Sequence, residues 1–124
     1  MNDLLLYLGG ALTIVWGTAH LLPTSKVVQG FGPITPDNRL VLTMEWVAEA
    51  ILLIFTGVLI VVMTARFGAS GTATQTAAAV SAAMLLVLAG VSSLTGGRVD
   101  FIMYRLCAPI FVLSAALLLT GAFA

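Results

Sequence analysis

Two carboxylates, Glu45 and Glu49, stand inside the apolar stretch 39–63, and the only histidine, His20, stands near the end of the apolar stretch before it. An ionisable side chain within a membrane segment costs about 2.5 kcal/mol or more on insertion scales, and such groups usually mark a pathway or a site. Spaced i,i+4, Glu45 and Glu49 share one face of a helix, which Thr56 continues. On the preceding segment Thr13, Trp16, Gly17, His20 and Thr24 recur at helical spacing. A histidine beside carboxylates exchanges protons, so His20, Glu45 and Glu49 are the candidate acid–base residues. The same trio is a chemically plausible ligand set for a metal, but it comes from two segments without a recognised metal motif, and no metal site is expected. One histidine leaves a bis-histidine haem to two subunits, and one cysteine, Cys107, excludes an intrachain disulfide or a two-thiol relay.

These residues need elements to hold them, and hydropathy supplies four. Apolar segments of about twenty residues run over roughly 4–22, 40–64, 73–94 and 101–123. The chain is 60% hydrophobic and 8% charged, whereas soluble domains carry about 25% charged residues. A soluble fold of 124 residues has too little interior for that much apolar surface, so the expected solvent is a bilayer. Lipid demands that backbone hydrogen bonds close within each segment, and four short spans make no barrel. The expectation is an all-α, integral membrane four-helix bundle with four transmembrane helices, a single transmembrane domain over 1–124. The first segment lacks the basic start and the small-residue cleavage site of a signal peptide, so it reads as a retained helix. A net charge of zero and the absence of a basic patch exclude nucleic acid as a partner.

Details of the spans follow from local chemistry. Asp37 or Asn38 is placed to cap the second helix. The third is rich in small residues, among them Ala78, Ser81, Ala82, Ala89 and Gly90, and the first carries Gly9, Gly10 and Gly17. Such faces let membrane helices approach closely. Pro109 cannot bond to the carbonyl of Arg105, which predicts a bend in the last helix. The first loop, 23–38, is long and mixes Val27, Val28, Phe31 and Ile34 with glycines and prolines, as expected of a segment lying in the interface or folding over the mouth of the bundle. Lys26, Arg39, Arg98 and Arg105 gather on the loop side against Arg66 on the other, so the positive-inside rule places the long loop in the cytoplasm and both termini outside.

Antiparallel threading brings His20, Glu45, Glu49 and Arg105 to the same half of the membrane, with Asp100 and Tyr104 nearby. Glu49 is expected either to pair with Arg105 or to be protonated. Trp16, Trp46 and Phe31 supply apolar walls. The expected ligand-binding set is therefore Trp16, His20, Glu45, Trp46, Glu49, Tyr104 and Arg105.

The run Leu8-Gly-Gly-Ala-Leu-Thr-Ile-Val-Trp-Gly-Thr-Ala-His-Leu-Leu-Pro23 resembles the opening helix of DoxX-like proteins, small four-helix membrane domains, and the four-span layout is similar. This chain has Asp3 where that family carries an arginine near its start. Some members of the family accompany quinone-linked oxidoreductases, so the resemblance implies a role beside a membrane redox system, in a bacterial inner (plasma) membrane. It assigns no catalytic residue and no cofactor. The leading expectation is a bundle that binds a lipophilic, quinone- or lipid-like molecule at its polar cluster. Its rivals are a membrane-embedded acid–base enzyme acting on a lipophilic substrate and a structural subunit whose acids pair with Arg39 and Arg105. The bilayer is one partner; a homo-oligomer or a larger membrane complex is expected as well.

Overall fold

A computed structural model describes all 124 residues. The chain is all-α, in the order α1 (Asp3–Leu21), α2 (Thr24–Gln29), α3 (Pro36–Phe67), α4 (Thr72–Leu94), a 3-10 turn (Gly96–Arg98) and α5 (Ile102–Phe123). Helices α1, α3, α4 and α5 are long and apolar enough to cross a membrane. They form the expected four-helix membrane bundle, and α2 is a short helix within the first loop.

Three spans begin and end within a residue or so of the hydropathy limits, and α3 is longer at both ends. Its start is set by Thr35, whose hydroxyl accepts the Asn38 N–H at 3.2 Å. Pro36 follows at the first helical position, where no N–H is needed. Thr35, not Asp37 or Asn38, is therefore the capping residue; Asp37 lies in the first turn, where its charge suits the helix dipole. With 32 residues, α3 is about 48 Å long. That exceeds the roughly 30 Å hydrocarbon core, so the helix must tilt or extend beyond it.

Glycines set the register of α1 on α3, the most extensive contact in the bundle. A Cβ placed on Gly10 would stand 3.0 Å from the Gly57 carbonyl oxygen. Two turns further along α1 and two turns back along α3, a Cβ on Gly17 would stand 2.9 Å from the Ala50 carbonyl oxygen. Backbone meets backbone at both points, which fixes how far one helix can slide along the other. Helix α4 lays its small buried residues Ala78, Ser81, Ala82 and Ala89 toward α5, and Leu6, Leu53, Leu85, Phe111 and Leu118 fill the interior. Gly90 departs from this pattern and faces outward with nothing near it.

The two ends of the bundle differ. At the termini end the Asp3 carboxylate accepts the Ala69 N–H at 2.6 Å, the Asn2 N–H donates to the Gly121 carbonyl at 2.7 Å, and Thr74 Oγ1 donates to the Met63 carbonyl at 3.0 Å. These bonds tie α1, α5 and the α3–α4 turn together. Helices α3 and α4 have the smallest contact of any neighbouring spans. Toward the loop end a groove separates them, bounded by Leu42 and Leu52 on α3 and Leu88 on α4.

Candidate functional site

The glycine register carries His20 on α1 to Trp46 on α3. Their rings stack with centroids 3.8 Å apart and planes 16° apart. Trp46 Nε1 also donates to the His20 carbonyl at 2.7 Å. That carbonyl is among the last four of α1, which have no acceptor role within their own helix. Trp46 thus caps α1 from a neighbouring helix, and the Thr24 hydroxyl does the same for the Leu21 carbonyl.

Glu49 lies on the same face of α3 as Trp46, about one turn further on. Its Oε2 is 3.4 Å from His20 Nε2. His20 is 8% exposed, and its Nε2 has no partner in hydrogen-bond geometry. The close approach of the two side chains is therefore an electrostatic contact rather than an aligned bond. The Glu49 side chain keeps 34% of its surface open.

Both side chains line a cavity of about 860 Å³ between α1, α3, α4 and α5, within the usual range of roughly 300–1,000 Å³ for small-molecule sites. Trp16, Leu88, Phe101 and Met103 give it apolar walls, while His20, Glu49, Ser92 and Thr95 contribute polar groups to its lining. An aromatic series lines it: Trp46 meets Tyr104 edge-on at 5.9 Å, and Tyr104 meets Phe101 edge-on at 5.2 Å. The first loop folds over the mouth. Val28 of α2 is buried, and Lys26, Val27, Gly30 and Phe31 line the cavity from above.

Five of the residues singled out from the sequence, Trp16, His20, Trp46, Glu49 and Tyr104, come together in this cavity. Two do not. Glu45 is exposed and lines a separate groove of about 440 Å³ beside the cavity. Arg105 turns outward: its guanidinium pairs with Asp100 at 3.0 Å, and its Nε donates to the Val99 carbonyl at 3.2 Å. The expected Arg105–Glu49 pair is not formed, because Arg105 reaches the right depth on the wrong face of α5. Helix α5 itself continues through Pro109, and Cys107 is buried at the cavity wall with its thiol donating to the Met103 carbonyl at 3.5 Å.

Sequence reasoning missed the contribution of α4 and of the turn that follows it. Leu88, Val91, Ser92 and Thr95 line the cavity. The available signal was the spacing of Leu88, Ser92 and Thr95, three and four residues apart on one helix face. Trp46, expected as a wall, also makes a capping bond. A tryptophan opposite a helix C-terminus is a donor facing orphan acceptors, which is a legible cue once the helices are threaded. Comparison with protein-family models, curated proteins and solved structures finds no match to this chain.

Proposed function

We propose that this protein binds a lipophilic small molecule with a polar head, quinone- or lipid-like, in the cavity at the loop-side mouth of its bundle. The observation that carries the reading is the convergence of His20 and Glu49 on a cavity whose remaining walls are mostly aromatic and aliphatic. The head group meets the histidine and the carboxylate, and Trp16, Trp46 and Tyr104 hold the rest. The resemblance of α1 to DoxX-like proteins points the same way and adds a setting beside a membrane redox system, in a bacterial inner membrane. The basic residues Lys26, Arg39, Arg98 and Arg105 orient the mouth toward the cytoplasm.

A second reading uses the same two side chains. His20 and Glu49 in contact beside a substrate-sized cavity suit general acid–base chemistry on a lipophilic substrate. Turnover of the bound compound, rather than binding alone, distinguishes the two. A purely structural role for the acids has less support, since neither Arg39 nor Arg105 lies within ion-pair distance of Glu45 or Glu49.

The test is a ligand-dependent melting shift. A ligand at about a hundred times its Kd adds about 2.7 kcal/mol to the folded state, a shift of several degrees for a domain of this size. Decylubiquinone and monoolein are the two probes. Glu49→Gln and His20→Ala should reduce the shift while leaving the ligand-free protein folded. A purified protein that carries no lipid or quinone, and whose melting neither probe moves, would overturn the proposal.

A further inference from the structure

The groove beside the cavity has the character of a compartment for a hydrocarbon chain. It encloses about 440 Å³ and shares Val27, Phe31, Trp46, Glu49 and Leu88 with the cavity wall, so the two spaces adjoin along one partition. Apart from Glu45, the residues that line the groove alone are apolar: Val28, Leu42, Ala48 and Leu52. From Leu42 to Leu52 the groove follows α3 for about 15 Å, half of the roughly 30 Å hydrocarbon core and so about the depth of one leaflet.

Its position explains why it is open. Helices α3 and α4 are consecutive in the chain yet have the smallest contact of any neighbouring spans. The ties between them, such as Thr74 to Met63, lie at the other end of the bundle. The outer face of α3 next to the groove is apolar and unpartnered, with Ile51 57% and Phe55 63% exposed. Such a face meets lipid. The groove therefore connects acyl chains on one side with the polar partition of Trp46 and Glu49 on the other.

We infer that the ligand is a single-chain amphiphile that reaches the cavity sideways from the bilayer, between α3 and α4. Its head lies against His20 and Glu49, and its chain runs along the groove into the lipid. This rests on the proposed binding function and deepens it: it excludes a compact, chainless compound arriving through the loop as the natural ligand. Lipid tails are as apolar as the groove walls, so the chain passes from bilayer to groove at little cost. The groove confers selectivity by shape, through what it has room for.

The experiment uses the full chain in lipid nanodiscs and two quinones with the same head. One is decylubiquinone; the other is its chainless parent, 2,3-dimethoxy-5-methyl-1,4-benzoquinone. Wild-type binding is measured first, with concentrations expressed per mole of lipid. Ala48 is exposed and lines the groove but not the cavity, so Ala48→Phe fills the groove and leaves the head site alone. The expected result is a loss of about tenfold or more in decylubiquinone affinity, from crowding a filled space, with the chainless quinone changed less than about twofold. Leu42→Phe, at the loop-side end of the groove, repeats the test should Ala48→Phe misfold; melting without ligand identifies that case. Equal losses for both quinones, or no loss for either, would overturn the inference while leaving the binding function standing. Failure of the wild-type protein to bind either quinone or monoolein would overturn both.

Discussion

Replacing Gly57 by alanine tests whether backbone contact between α1 and α3 builds the site. A Cβ on Gly57 would fall inside the contact distance of the Gly10 carbonyl oxygen, 2.6 Å from Ile14 Cγ1 and 3.0 Å from the Ile14 backbone nitrogen. Two of these three atoms are backbone, so a side-chain rotation cannot relieve the clash and the helices must separate. Overpacking of this kind costs about 1–3 kcal/mol. The gain in helix propensity on replacing glycine returns about 1 kcal/mol, leaving a net loss of about 0–2 kcal/mol. Gly90→Ala is the matched control, since its Cβ would meet nothing within 4 Å and only the propensity gain applies. The assay is thermal melting in nanodiscs, read by far-UV circular dichroism and by tryptophan fluorescence. Gly57→Ala should melt several degrees below Gly90→Ala and show an altered emission maximum, because separating α1 from α3 loosens the Trp46–His20 stack and its 2.7 Å bond. Gly90→Ala should melt at or above wild type with unchanged emission. Equal melting of the two variants would refute the claim that glycine contact sets the register.

Further outcomes follow from the site. Trp46→Phe keeps an aromatic ring, smaller than the indole, but removes the donor to the His20 carbonyl; a part-buried acceptor left without a partner costs about 1–3 kcal/mol, measurable as a lower Tm by circular dichroism. Arg105→Ala breaks an exposed pair with Asp100 and an exposed hydrogen bond to the Val99 carbonyl, contacts worth little at the surface, so melting and decylubiquinone affinity should both stay close to wild type; a tenfold loss of affinity would mean that Arg105 serves the cavity after all.

The four spans were legible because lipid imposes a simple rule: about twenty apolar residues to a helix, with every backbone bond closed internally. Depth was legible too, and it brought His20 and Glu49 to the same level from different helices. Direction around a helix was not, and this is where the expectations parted from the structure. Arg105 shares that level but lies on the outer face of α5 beside Asp100. Glu45 lies one turn from Glu49 and turns toward the groove instead of the cavity. Azimuth depends on which faces the bundle buries, and with apolar residues on every side of each helix the sequence carries almost no amphipathic signal to fix it. The start of α3 was missed for a different reason. Hydropathy marks where apolar residues begin, whereas the helix begins where Thr35 and Pro36 satisfy its first turn.

Occupancy of the cavity beside His20 and Glu49 by a lipophilic molecule, as proposed, can be read from the protein's own fluorescence. The chain has two tryptophans, Trp16 and Trp46, and both line that cavity, so its entire indole fluorescence reports on the site. Titration of decylubiquinone into the protein in nanodiscs measures occupancy directly, since a bound quinone quenches an adjacent indole. The expected result is saturable quenching of both tryptophans that Glu49→Gln shifts to higher quinone. Quenching that rises in proportion to quinone in the bilayer, never saturates and is the same in Glu49→Gln would contradict it.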